Sequence, residues 1–186
     1  QSYSVGPIKP NIVVVGYARD PERRLVYLHH LRTVMSLGKS IVVVEDRGLL
    51  LHRRQKCIDC WWRGQANGSL MVILAHLLMQ NAEWSGSRLR LLRLVRTPAE
   101  VEAAEADLIA ICHAARIVAE VEVPVSTAPF PDVLRQHSGA STLVFLGFQP
   151  PEVEKDEAFL QQLDTMLEGL PSTLLGCSTG EADLHA

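Results

Sequence analysis

The sequence predicts an α/β domain, a mostly parallel sheet flanked by helices. Three observations carry this expectation. Near-continuous apolar and β-branched runs, such as Asn11–Gly16, Ser40–Glu45 (SIVVVE) and Thr142–Gly147 (TLVFLG), read as strands buried on both faces. Segments of helical periodicity separate those runs, so strands and helices alternate. Proline and glycine stand at the joins, where helix caps need them.

The elements follow in order. Asn11–Gly16 is the first strand, and Asp20-Pro21-Glu22 supplies an N-cap, a proline at the first helical position and an early acid. The helix runs from Arg23 to Leu37 and Gly38 closes it. Ser40–Glu45 completes a strand–helix–strand unit. Ile58–Trp62 reads as a short strand, and Gly68–Gln80 as a helix apolar almost all round and therefore deeply buried. Leu89–Val95 is a strand, and Thr97-Pro98-Ala99-Glu100 a capping box. The helix it opens places Val101, Ala104, Leu108, Ile111, Ala115 and Val118 on one face. Glu120–Pro124 is a strand, Pro131–His137 a short helix, and Thr142–Gly147 a buried strand. Phe159, Leu163, Met166 and Leu170 mark a last amphipathic helix, and Ser172–Cys177 a seventh strand. Only Arg47–Lys56 and Gln149–Lys155 resemble linkers, so residues 1–186 are expected to form a single domain.

At 186 residues the chain buries roughly 70% of its unfolded surface and needs no metal or disulfide staple. Charged residues are 21% and hydrophobic ones 47%, a globular balance. The longest apolar run, Leu70–Met79, is too short to cross a bilayer. No leader precedes Val5, and the absence of an initial Met suggests a piece of something longer. Four cysteines do not make a disulfide framework and point to a reducing compartment. The net charge of −3 divides unevenly: 15 Lys+Arg against 7 Asp+Glu up to residue 100, then 3 against 14. A basic half suits anionic lipid and an acidic half a basic partner, while a slightly acidic whole argues against nucleic acid.

Chemistry-bearing motifs are few. Cys57-Ile58-Asp59-Cys60 is a CxxC, but on a strand residues three apart face opposite sides, so the pair reads as structural rather than redox or zinc-binding. Gly16-Tyr17-Ala18-Arg19-Asp20 is no dinucleotide fingerprint, and no P-loop occurs. Phe148-Gln149-Pro150-Pro151 offers few N–H donors to a phosphate, and Glu152, Glu154, Asp156 and Glu157 would repel one. His29 and His30 are helical neighbours that cannot share an ion, and His76 reads as a hydrogen-bonded core histidine. His113 and His137 have no evident partner, and the paired carboxylates read as solvated helix faces. Arg88, Arg90, Arg93 and Arg96, with Arg53, Arg54, Lys56 and Arg63, form either a basic edge for anionic lipid or scattered snorkelling side chains. Tyr27, Leu28 and Leu31 are an interface stripe or, more commonly, core. No catalytic, cofactor or metal site is expected, and no enzyme.

Ile58, Asp59, Trp61 and Trp62, followed by Gly68 and Leu70 opening an apolar helix, resemble the Ile-Asp-Val-Trp-Trp and Asp-Gly-Gly-Leu stretch of the cytoplasmic C-terminal tail of cation-chloride cotransporters. Lys9-Pro10-Asn11 with the strand to Tyr17, the basic strand at Arg88–Arg96, and TLVFLG followed by Leu167–Gly176 resemble other parts of that tail, over roughly residues 9 to 180. Cys60 stands where the family has an apolar residue, and Leu184-His185-Ala186 departs from its aromatic ending. The stretch Arg47–Lys56 is short where animal members carry a long insert, which points to a prokaryotic member. The resemblance implies a universal-stress-protein-like fold and a regulatory domain without enzymatic activity or cofactor. It implies a homodimer, docked on the cytoplasmic face of its own membrane domain, in a protein that carries sodium or potassium with chloride. The alternatives are a free-standing nucleotide-binding protein of the stress-protein kind, or the tail of an amino-acid permease.

Overall fold

The computed structural model describes residues 11–49 and 55–180, so Lys9, Pro10, Arg53, Arg54 and Leu184-His185-Ala186 lie outside the described residues. Chain order is β1 (Ile12–Gly16), α1 (Pro21–Ser36), β2 (Ser40–Glu45), β3 (Cys57–Trp61), α2 (Gln65–Met79), β4 (Arg88–Leu92), α3 (Val101–Ala115), β5 (Glu120–Glu122), α4 (Phe130–Ser138), β6 (Leu143–Gly147), α5 (Asp156–Leu167) and β7 (Thr173–Cys177). The strands form one sheet in the order β1-β2-β7-β6-β3-β4-β5. Every pairing is parallel except β2 with β7, so the last strand joins the first strand–helix–strand unit to the rest.

Each face of the sheet has its own core. On one, Met71, Val72 and Ala75 of α2 and Leu108 and Cys112 of α3 pack on Ile58, Cys60, Leu89, Leu91 and Phe145. On the other, α1, α4 and α5 bring Leu28, Leu31, Val133, Leu134, Leu160 and Leu163 onto Ile41, Val43, Trp61, Val144 and Leu175. The alternation along β6 divides its side chains between the two cores, which is why that run reads as continuously apolar.

Local signals act as expected at several joins. Asp20 Oδ1 accepts the Glu22 N–H at 3.1 Å, and Gly38 takes φ +72° to turn the chain into β2. The Thr97–Glu100 capping box is present and precedes α3. Glycine at position 68 is required by packing: a Cβ there would lie 2.4 Å from the Trp62 ring, which is 6% exposed.

Other expectations are corrected. β1 is an edge strand with Val14 64% exposed, because α1 covers only one of its faces. The α2 helix begins at Gln65 rather than Gly68, and Leu77, turned away from the sheet, is 59% exposed. For the stripe on α1 the commoner of the two readings holds: Leu28 and Leu31 are core, and Leu25 and Val26 are the exposed apolar residues of that helix. Val118 lies beyond α3 and is 91% exposed.

With so narrow an apolar face, α1 is fastened by arginines. Arg24 donates to both oxygens of Asp164 on α5, at 2.6 and 2.8 Å, and Tyr17 donates to the same carboxylate at 2.7 Å. Arg32 makes a two-pronged pair with Asp156 and donates to the Pro151 carbonyl at 3.0 Å. At the end of β2, the buried Glu45 accepts from Arg19 and Arg47.

Gly68→Ala should lower stability by about 1–3 kcal/mol through overpacking against Trp62, read as a fall in urea midpoint at unchanged m-value. The Arg24 guanidinium holds the Asp164 carboxyl below the usual carboxylate range. A carboxyl depressed in the folded state stabilises above its unfolded pKa, and that contribution is lost as pH falls through the folded value. Asp164→Asn should therefore lower stability near neutrality by less than about 1 kcal/mol on this half-exposed pair, and flatten the acid limb of the stability–pH curve below about pH 4, where variant and wild type converge.

Candidate functional site

Two features dominate the described chemistry. The first is an ion-pair cluster built across neighbouring strands. In-register pairing sets Asp59 of β3 beside Arg90 of β4, and Arg90 beside β5. Arg90 donates through Nε to Asp59 Oδ1 at 2.8 Å and through Nη2 to Oδ2 at 2.7 Å, a two-pronged pair. Ser138 donates to Asp59 Oδ2 at 2.6 Å, Ser141 donates to the same oxygen, and the Cys57 thiol donates to Oδ1 at 3.3 Å. Trp61 Nε1 in turn donates to Ser138 Oγ at 2.9 Å. Arg90 also reaches Glu122 at 2.8 Å and the His137 carbonyl at 2.8 Å, and His137 Nδ1 lies 2.6 Å from Glu122. The hydrogen bond from Arg90 to Asp59 raises the guanidinium pKa further above its ordinary value.

Asp59 is wholly buried and takes five donors, so neither oxygen is open to a substrate proton. The cluster therefore does structural work: it ties β3, β4, β5, α4 and the turn after α4 together. The expectation that His137 has no partner is corrected by Glu122, and its ring also lies edge-on to Trp61 at 6.2 Å.

The second feature is a crevice of about 690 Å³ at the C-terminal ends of β3 and β6. From β3 the chain crosses by α2 to β4, and from β6 it crosses by α5 to β7, on opposite faces and in opposite directions. That is the topological switch point, where open α/β sheets present loops to ligands. Phe130, Phe148, Phe159 and Met166 line the crevice and Arg63 stands at its rim. Beside it, Asn67 of α2 donates to the Phe148 carbonyl at 2.8 Å and accepts the Ser178 N–H at 2.8 Å, clipping the ends of β6 and β7. A Cβ at Gly147 would lie 2.9 Å from Asn67, so this approach needs glycine.

The loop after β6 offers few donors to a phosphate. The Phe148 N–H is spent on the Gly176 carbonyl, and Pro150 and Pro151 have none. Asp156 at the start of α5, expected to be solvated, is 7% exposed and gripped by Arg32.

The remaining sequence candidates fall apart in space. Cys57 shares the Asp59 face of β3 while Cys60 packs in the opposite core, and both are free thiols. Burial, reinforced by the Asp59 charge, raises both thiol pKa values and keeps the sulfurs protonated. His29 and His30 are exposed neighbours, and His76 is a half-buried residue 3.3 Å from Gln80 rather than a core histidine. Among the described residues no three His, Cys, Asp or Glu side chains gather as a metal would require. The basic edge is also dispersed: Arg88 pairs with Glu120, Arg90 with Asp59 and Glu122, and Arg93 with Asp107. Arg96 donates to two carbonyls, and Lys56 to the Glu83 carbonyl.

Asp59→Asn, which weakens the two-pronged pair and leaves Glu122 as the remaining counter-charge of Arg90, should cost about 1.5–3 kcal/mol in urea unfolding. Asp107→Asn, at an exposed pair, should cost less than about 1 kcal/mol in the same measurement.

No protein-family model and no curated protein matches the chain. Among solved structures it is similar to the cytoplasmic domain of a prokaryotic cation chloride cotransporter, at 17% identity and a TM-score of 0.71. The likeness covers 95% of this chain and 67% of that one. At this identity it is the fold that is established: the seven-stranded, mostly parallel α/β sheet described above is shared with that cytoplasmic domain.

Proposed function

We propose that the chain is the cytoplasmic regulatory and dimerisation domain of a membrane cation-chloride cotransporter. In this reading it has no catalysis of its own. It self-associates, sits on the cytoplasmic side of the cell membrane and docks on its own membrane domain, which carries sodium or potassium with chloride. One observation carries the reading: the structural likeness runs over 95% of the chain, and within it the residues of the sequence resemblance are core. Ile58, Asp59 and Trp61 are buried in β3, Trp62 packs on Gly68, and Leu70 is 1% exposed. A bland strand needs none of these specifics. No helix among the described residues is long and apolar enough to cross a membrane, so in this reading transport belongs to another part of the protein.

A second reading, a nucleotide-binding protein of the stress-protein kind, is favoured only by the crevice at the switch point. The spent N–H of Phe148 and the two following prolines weigh against it.

Sedimentation of the 186-residue chain should give a dimer, with a melting temperature that rises with protein concentration. A monomer whose melting ignores concentration sinks the dimer assignment. Millimolar ATP should leave the melting temperature unchanged, and a shift of several degrees moves the assignment to the nucleotide reading.

A further inference from the structure

Three of the chain's four phenylalanines, Phe130, Phe148 and Phe159, meet Met166 around the crevice between α4, α5 and the loop after β6. Such a convergence leaves apolar surface in a concave, water-accessible place, the ordinary setting of a small-molecule site. Its volume of about 690 Å³ falls within the roughly 300–1,000 Å³ of ligand pockets.

The cation at the rim, Arg63, makes no ion pair among the described residues, whereas the arginines of α1 and β4 all face carboxylates. Its guanidinium carbon lies 4.5 Å from the centre of the Phe130 ring. Stacked on that ring, the guanidinium keeps its N–H edge free for a planar anion such as a carboxylate. The rim otherwise carries Gln149, Gln161 and Gln162 rather than further cations. A membrane surface is held by several lysines and arginines together, so one arginine beside an apolar trough fits a single free acid instead.

We propose that this crevice binds a free single-chain carboxylate amphiphile, with its acid group on Arg63 and its chain against Phe130, Phe148, Phe159 and Met166. The binding rests on the crevice alone and stands whether or not the domain serves a transporter.

Calorimetric titration of the 186-residue chain with sodium decanoate tests it. One saturable site per chain is expected, with affinity reduced about tenfold or more by Arg63→Gln. Phe159→Ala should weaken binding while Arg63→Gln leaves the melting temperature unchanged. Decanol, which keeps the chain and lacks the charge, should bind wild-type protein about tenfold more weakly, a comparison that needs no variant. The proposal is overturned if no saturable heat appears below the micelle concentration, if Arg63→Gln binds decanoate as tightly as wild type, or if decanol matches decanoate. Co-sedimentation with phosphatidylserine vesicles in the absence of decanoate binding would assign the surface to membrane instead and overturn it equally.

Discussion

The buried pair between Asp59 and Arg90 is the constraint on which much of the β3–β4–β5 end of the sheet depends. A carboxylate in a fully dry place is tolerated only when its lone pairs are filled and a counter-charge is at hand. Filling them here takes β4 for Arg90, the end of α4 for Ser138 and the following turn for Ser141. Once Asp59 is buried, α4 has one place to sit. Trp61 meets Phe130 edge-on at 5.3 Å and bonds to the same serine, so the aromatic packing and the polar cluster enforce a single geometry.

The uneven charge of the two halves finds its explanation inside the molecule. Arg24, Arg32, Arg88, Arg90 and Arg93 come from the basic half, and Asp164, Asp156, Glu120, Glu122 and Asp107 from the acidic one. The basic partner that an acidic half calls for is, in these five pairs, the first half of the same chain. What reads from the sequence as a surface ready for lipid is largely neutralised when the strands align. Arg63 stands apart from that pattern, and its setting against an aromatic ring gives the switch point its chemical character.

Legibility in the sequence follows physical range. Strands and helices were legible because buried runs, prolines and caps act within a few residues: Ser40–Glu45 has the same bounds in sequence and structure, and Asp20 and Thr97 cap as read. The pairing of Asp59 with Arg90 was not, since it depends on which strands become neighbours. A trace was present all the same, an acid inside an apolar strand and an arginine at an alternating position of the next. The exposure of Val14 was hidden for the same reason: an edge strand and a central strand can be spelled alike, and only sheet order separates them. The crevice was hidden more deeply, because its phenylalanines come from α4, α5 and the loop after β6.

The single antiparallel junction has a consequence for how the chain is made. β7, the last strand, is wedged between β2 and β6 and forms the only backbone link from the β1–α1–β2 unit to the other strands among the described residues. During synthesis the first hundred and seventy-odd residues can form local pieces, yet the two parts of the sheet have no backbone seam until Thr173–Cys177 leaves the ribosome. The edge of β2 therefore waits longest for its partner, and a ribosome stalled before that strand would hold out an open, valine-rich edge to whatever chain or chaperone arrives first.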